Sequence, residues 1–194
     1  MTDTAVFAHL GRTLSELAGT WTLDPAHTSV ELSVRHMMVA TVRGRLRPLT
    51  GELHIDADDP FGSYVVVELD PASVDTGNPD RDKHLRSADF LDTDRFPTIS
   101  FRSTEVEDQG DGSYVITGDL TVRGETRPIT LEAELGGIIR DPFGNDRMGF
   151  SATGTIDRSE FGLTWNAALE GGGLVLGDRL KVNIDAEFTR QPGG

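Results

Sequence analysis

From Val30 onward, apolar residues return at every second position. Val30, Leu32 and Val34 alternate with Ser29, Glu31, Ser33 and Arg35. The same rhythm runs through Tyr114–Val122, Ile129–Leu135, Met148–Ile156 and Val182–Phe188. A period of two places one set of side chains on each face, so these are half-buried antiparallel strands, apolar inside and polar outside. Eight strands are predicted, near 27–36, 41–57, 63–75, 98–107, 113–123, 126–139, 147–158 and 180–190. Pro48 marks a bulge or an edge within the second. Turn residues separate the strands at Asp58-Asp59-Pro60, Gly110-Asp111-Gly112, Arg123-Gly124-Glu125 and 141–145. The longer connections are 76–97, with a short helix around 81–91, and 159–179. The chain shows no repeat and no linker, and one sheet of eight strands that curls and closes accounts for it.

The N-terminal segment has a different period. Phe7, Leu10, Leu14 and Leu17 form a helical stripe, with Asp3 or Thr4 as cap and Gly19 as stop. Gly11 costs this helix about 1 kcal/mol relative to Ala, so it needs packing. It is expected to lie on the barrel body, over the barrel mouth as a lid, or against a second subunit; charged outer positions such as Glu31, Glu132, Glu134 and Asp185 disfavour the outer wall, and of the other two the mouth is favoured because ligand entry there would expose apolar surface. The predicted organisation is therefore a helical extension over 1–19, a barrel over 20–190 and a tail over 191–194.

An eight-stranded barrel is either filled by its own side chains or holds one small ligand. The inward row contains Gly44, Gly118, Ala133, Ala152, Gly154 and Ala186. Small inward residues leave an apolar void, which is costly unless filled; strand glycines also simply permit bending. Both readings stand at this point. Leu32, Val34, Leu46, Phe101, Leu120, Val122, Phe150, Ile156 and Ile184 are expected to line the interior, with His36 ending the apolar row as a polar group in need of a partner.

Composition narrows the chemistry. The 194 residues carry 32 acidic and 18 basic side chains, a net charge of −14, so phosphate backbones are repelled and no nucleic-acid partner is expected. Anionic membranes are repelled too, apart from any local basic patch. Arg35, Arg43, Arg45 and Arg47 crowd into thirteen positions, either as a contact stripe or as an outer face paired with carboxylates. With no Cys, thiolate metal sites and cysteine nucleophiles are excluded. The five His show no metal-helix spacing, the Asp56–Asp59 run lacks the calcium-loop pattern, and no nucleophile elbow, Walker or dinucleotide glycine motif occurs. No metal, catalytic residue or cofactor is predicted. No stretch is long and apolar enough to span a membrane, and Met1–Gly19 lacks the form of a signal peptide, so a cytoplasmic protein is expected.

Several strings have a family likeness. They are Trp21-Thr22-Leu23-Asp24-x-x-His27-Thr28-Ser29-Val30, Val34-Arg35-His36, Arg81-Asp82-Lys83-His84-Leu85-Arg86-Ser87-x-Asp89-Phe90, Phe96-Pro97-x-Ile99-Ser100-Phe101, Gly118–Gly124 and Asp157-Arg158-Ser159-x-Phe161-Gly162-Leu163. In this order the chain resembles the YceI-like family of polyisoprenoid-binding proteins. The resemblance implies a lipocalin-like barrel with short helical insertions, a tunnel for a long isoprenoid or similar amphiphilic lipid, binding for storage, transport or protection, and a homodimer. Arg81, Asp82 and His84 are carried over as head-group or mouth candidates, with a bracing role for Asp82. The alternatives are an enzyme acting on a lipid head group, with Asp82 and His84 as its acid–base pair, and an interaction domain with a filled barrel.

Overall fold

The computed structural model describes residues 14–59, 62–168 and 174–190. Its strands are β1 (Gly19–Leu23), β2 (Ser29–His36), β3 (Ala40–Ile55), β4 (Tyr64–Asp75), β5 (Ile99–Gly110), β6 (Ser113–Val122), β7 (Glu125–Arg140), β8 (Asp146–Asp157) and β9 (Leu176–Arg190). Two α-helices are described, α1 (Leu14–Leu17) and α2 (Pro79–Arg86), together with a 3-10 turn at Arg158–Phe161. Successive strands from β2 to β9 pair antiparallel, and β9 pairs back onto β2. The result is a closed eight-stranded antiparallel barrel.

Nine strand segments fill eight positions because β1 and β2 lie end to end. β1 pairs Gly19–Thr22 with Ile55–Glu52 of β3, and Thr22 and Leu23 with Thr189 and Phe188 of β9. β2 pairs with the other halves of the same two strands. The reading of a single first strand near 27–36 is therefore corrected: the strand position starts at Gly19 and is broken over residues 24–28. Five residues alternate too briefly to announce a strand. At Pro48 the β3–β4 register shifts, accommodating the residue that lacks an N–H.

The ends of the barrel are closed differently. At one end Leu17, Trp21 and Met148 are wholly buried beside Leu23, Ile55 and Phe188. The Trp21 indole N–H donates to the Leu17 carbonyl at 2.9 Å. The Arg190 guanidinium lies 4.5 Å over the Trp21 ring and donates to the carbonyls of Ala18 and Glu16 at 2.6 and 2.7 Å. Carbonyls that end a helix without partners are thus satisfied by a cation, in the electrostatically favoured place. Helix α1 therefore packs at this end, away from α2, which corrects the expectation that it lies over the mouth. Phe7 and Leu10 lie outside the described residues.

At the opposite end stand α2, the β2–β3 hairpin, the 3-10 turn and the chain that follows it. Leu46, Val74, Ile99, Leu120, Val122, Phe161 and Leu163 form a second cluster here. The Asn78 side chain caps α2 by accepting from the Arg81 N–H at 3.1 Å, with Pro79 at the first turn.

Candidate functional site

Between the two clusters runs a cavity of about 800 Å3. β9 contributes to its wall from Leu176 to Phe188. Twelve residue steps at about 3.3 Å, on a strand tilted by about 40°, reach roughly 30 Å along the axis. The space is thus long and narrow. Cross-strand register explains it. Tyr114, Ala133, Ala152, Ile184, Val30 and Leu46 face one another around the barrel, and two adjacent alanines in that belt leave the interior open. Leu32, Val34, His36, Leu46, Phe101, Leu120, Val122, Phe150, Ile156 and Ile184 all lie on the wall, as do Arg81 and His84.

Two of the small inward residues behave otherwise. A Cβ on Gly118 meets the Arg102 carbonyl and the Phe101 ring at 2.5 Å, and one on Gly154 meets Leu131 at 2.6 Å. Their space is already taken by the neighbouring strand, so these glycines permit close packing and do not create the void. Gly44, Ala133, Ala152 and Ala186 are the small residues that line it.

Polar groups stand on the wall at both ends, with Thr28, Ser63, Tyr64, Asp108 and Tyr114 toward the sealed one. His36, Thr76, Asn78, Asp80, Arg81, His84 and Trp165 stand at the α2 end. The His84 Nε2 lies 2.9 Å from the Asp89 carboxylate, and its ring meets Phe90 and Trp165 edge-on at 5.0 and 4.7 Å. Arg81 donates from Nε and Nη2 to the Thr76 hydroxyl (2.7 Å) and carbonyl (2.9 Å). Asp82 is buried, does not line the cavity, and accepts from the Thr76 N–H (2.9 Å) and hydroxyl (2.5 Å). Asp82 and His84 therefore do not form a pair. The His36 ring makes no hydrogen bond among the described residues.

Two contributors escaped the sequence reading. Trp165 sits in a connection without periodicity, and nothing in its neighbours marks it as part of a rim. Arg158 is buried; it was noted only as part of a family string. It donates to the carbonyls of Leu163 (2.5 Å), Trp165 (2.9 Å) and Gly177 (3.0 Å) and to Asp178 (2.9 Å), fixing the segment that carries Trp165.

Outside the sealed end lies a charge cluster unrelated to the cavity. Arg147 bonds Asp141 at 2.8 Å and Asp24 at 3.1 Å, and also Glu187. Asp24, His27 and Glu187 bring potential metal ligands within 4.8 Å of one another, but the guanidinium already neutralises two of them. Arg147 foremost, with Asn145 and the Phe143 N–H, holds the Asp141 carboxyl down to about 2. The bond to His27, then the Ala26 N–H and Arg147, lowers Asp24. The cluster is a staple between β1, β8 and β9. In the cavity wall, burial pushes the Tyr114 hydroxyl well above its ordinary value and keeps it neutral.

A closed antiparallel barrel with an apolar bore and a polar, aromatic rim defines a lipocalin-like architecture. This chain belongs to the YceI-like family: the YceI-like domain matches residues 21–188. A UPF0312 protein of Vibrio cholerae serotype O1 is 41% identical over 138 residues, covering 71% of this chain and 73% of its own. Burkholderia cenocepacia BcnA superposes with a TM-score of 0.73 at 18% identity, over 85% of this chain and 98% of that one. A polyisoprenoid binding domain from Saccharophagus degradans, described as implicated in plant cell wall breakdown, gives 0.64 at 13% identity, over 87% and 97%. Among the described residues no helix is long and apolar enough to cross a membrane.

Proposed function

We propose that the protein holds a long-chain isoprenoid, or a lipid of similar amphiphilic build, inside the barrel, for storage, transport or protection. The observation that carries this reading is the long apolar cavity of about 800 Å3, within the size range of ligand sites. A ligand burying several hundred Å2 at roughly 25 cal/mol per Å2 gains enough to offset the cost of ordering it. Its polar head belongs at the α2 end, near His36, His84 and Trp165. The fold shared with the Saccharophagus degradans polyisoprenoid binding domain supports the same ligand class. Binding fits better than head-group catalysis by an Asp82–His84 pair, because Asp82 is committed to Thr76 and does not line the cavity.

Solvent extraction of the purified protein, followed by mass spectrometry, tests the reading. A stoichiometric long-chain amphiphile is expected. An empty extract, together with no binding of an added polyprenyl probe, overturns it. Light scattering of the same sample tests the homodimer that the family resemblance implies.

A further inference from the structure

We infer that the tip of the β2–β3 hairpin is a docking element for an anionic bilayer surface, placing the cavity rim against the lipid. As a route for ligand this rests on the lipid-binding reading above; as a surface property it is measured separately. Met37, Met38 and Val39 form the tip, with Met38 74% and Val39 79% exposed. The Met37 N–H donates to the Val175 carbonyl at 2.8 Å, which brings half-exposed Leu174 alongside. Four of the seven large apolar side chains exposed among the described residues thus stand at one spot. His36, next in the chain, and Val175 both line the cavity, so the patch adjoins the rim.

The backbone adds an independent observation. Met37 and Met38 have φ of 47° and 59°, and the Val39 N–H closes the turn on the His36 carbonyl at 3.1 Å. Turns with two successive positive φ values strongly favour Asn-Gly or Asp-Gly. The β5–β6 hairpin of this same chain uses Asp111-Gly112. At the β2–β3 tip the chain instead exposes two methionines in a conformation that disfavours them. Folding gains nothing from that choice, whereas insertion into an apolar phase does.

Charge selects the bilayer as the occupant. Behind the tip, Arg43 and Arg45 stand exposed on the outer face of β3, Ser33 pairs with both Arg43 and Lys181, and Arg35 precedes the turn. Glu31 approaches Arg43 and Arg45 only at 3.9 and 3.7 Å. Of the other carboxylates on this side, Asp75 stands opposite Arg45 across the β3–β4 register and accepts from the Gly77 N–H, Asp178 is bonded by Arg158, and Asp157 accepts from the Ser159 N–H. In a chain of net charge −14 this gathers Arg35, Arg43, Arg45 and Lys181 beside an apolar tip, the pattern of a surface-seeking segment. Ile139 and Phe143 are also exposed, but they lie at the sealed end, where Arg140 is paired with Asp146.

The test is co-sedimentation of the full chain with vesicles of equal parts phosphatidylglycerol and phosphatidylcholine. The wild type is expected to partition onto them, more weakly as salt rises and more weakly onto pure phosphatidylcholine. Met38→Asp with Val39→Asp is expected to lower partitioning at least about tenfold. Arg43→Gln and Lys181→Gln are expected to lower it about fivefold each at low salt. Phe143→Asp is expected to leave it unchanged. Affinity for a polyprenyl probe in solution should stay the same in all four variants; loss of probe binding by the wild type, with partitioning intact, overturns the ligand reading and leaves docking standing. Equal partitioning of wild type and the Met38/Val39 variant overturns docking. So does a wild-type dimer that this variant makes monomeric without changing partitioning, since the tip is then an interface between copies.

Discussion

The two ends of this barrel are built from the same kinds of residue and put to opposite uses. Each has a tryptophan, an arginine bonded to backbone carbonyls, and a short helix. At the sealed end Trp21 is wholly buried, its N–H is satisfied by Leu17, and Arg190 stacks on its ring while capping the chain behind it. At the α2 end Trp165 is only partly buried, and Arg158 holds its backbone and leaves its ring on the cavity wall. A tryptophan fixed through its side chain closes a barrel; a tryptophan fixed through its main chain leaves its ring available to a ligand.

Stability and binding should therefore separate cleanly between the ends. Trp21→Ala is expected to cost about 3–5 kcal/mol, the usual range for a large aromatic removed from a core. Urea unfolding measures it. Trp165→Ala should cost far less and should appear chiefly as weaker binding of a polyprenyl probe. If the two substitutions destabilise equally, the α2 end is as much a core as the other.

Between the ends, the small inward residues divide in the same way. Gly118→Leu forces a side chain into the Arg102 carbonyl, which cannot give way, and is expected to lower stability by about 1–3 kcal/mol or more. Ala152→Phe points into open cavity and is expected to lower probe affinity at least about tenfold, with a much smaller change in unfolding. A Gly118→Leu protein that stays stable while losing the ligand would show that the glycine provides room for the ligand after all.

What was legible in the sequence follows from periodicity. Strand positions with one buried face announce themselves every second residue, so the wall from Leu32 to Ile184 could be named without coordinates. β1 was hidden because a five-residue segment, interrupted at Asp24, carries too few alternations. For Gly118 and Gly154 alternation leaves the void and the bend both open, since it says where a side chain points and not whether a neighbour already occupies the space. Trp165 and the Thr76 hydrogen bonds lie in connections, where no period operates and only the fold brings the partners together.

Acid tests the staple at the sealed end. Asp141 has its carboxyl held to about 2 by Arg147, below the ordinary value of 3.8. A lowered carboxyl contributes stability that is fully present above the unfolded value and is lost as pH falls through the folded one. Arg147→Met removes that contribution. Wild type and variant should differ by a constant amount above about pH 4, and the gap should close towards pH 2 in urea unfolding series. A gap independent of pH over this interval would mean that Arg147 acts through packing alone.

The smallest effect is expected at Arg81, where the geometry argues against the head-group role suggested by the family string. Two of its donor groups are spent on Thr76, whose N–H and hydroxyl are in turn held by Asp82. The arginine thus ties α2 to the chain leaving β4. Asp80, also on the rim, opposes whatever attraction its charge offers an anion. Arg81→Ala should weaken a phosphorylated polyprenyl ligand and the corresponding neutral alcohol alike, by about twofold, because both feel the same loosening of α2. Titration of both ligands by Trp165 fluorescence, in a Trp21→Phe background, measures the pair of affinities. A loss of about tenfold for the phosphorylated ligand alone would return the guanidinium to the head group and make the α2 end an anion site.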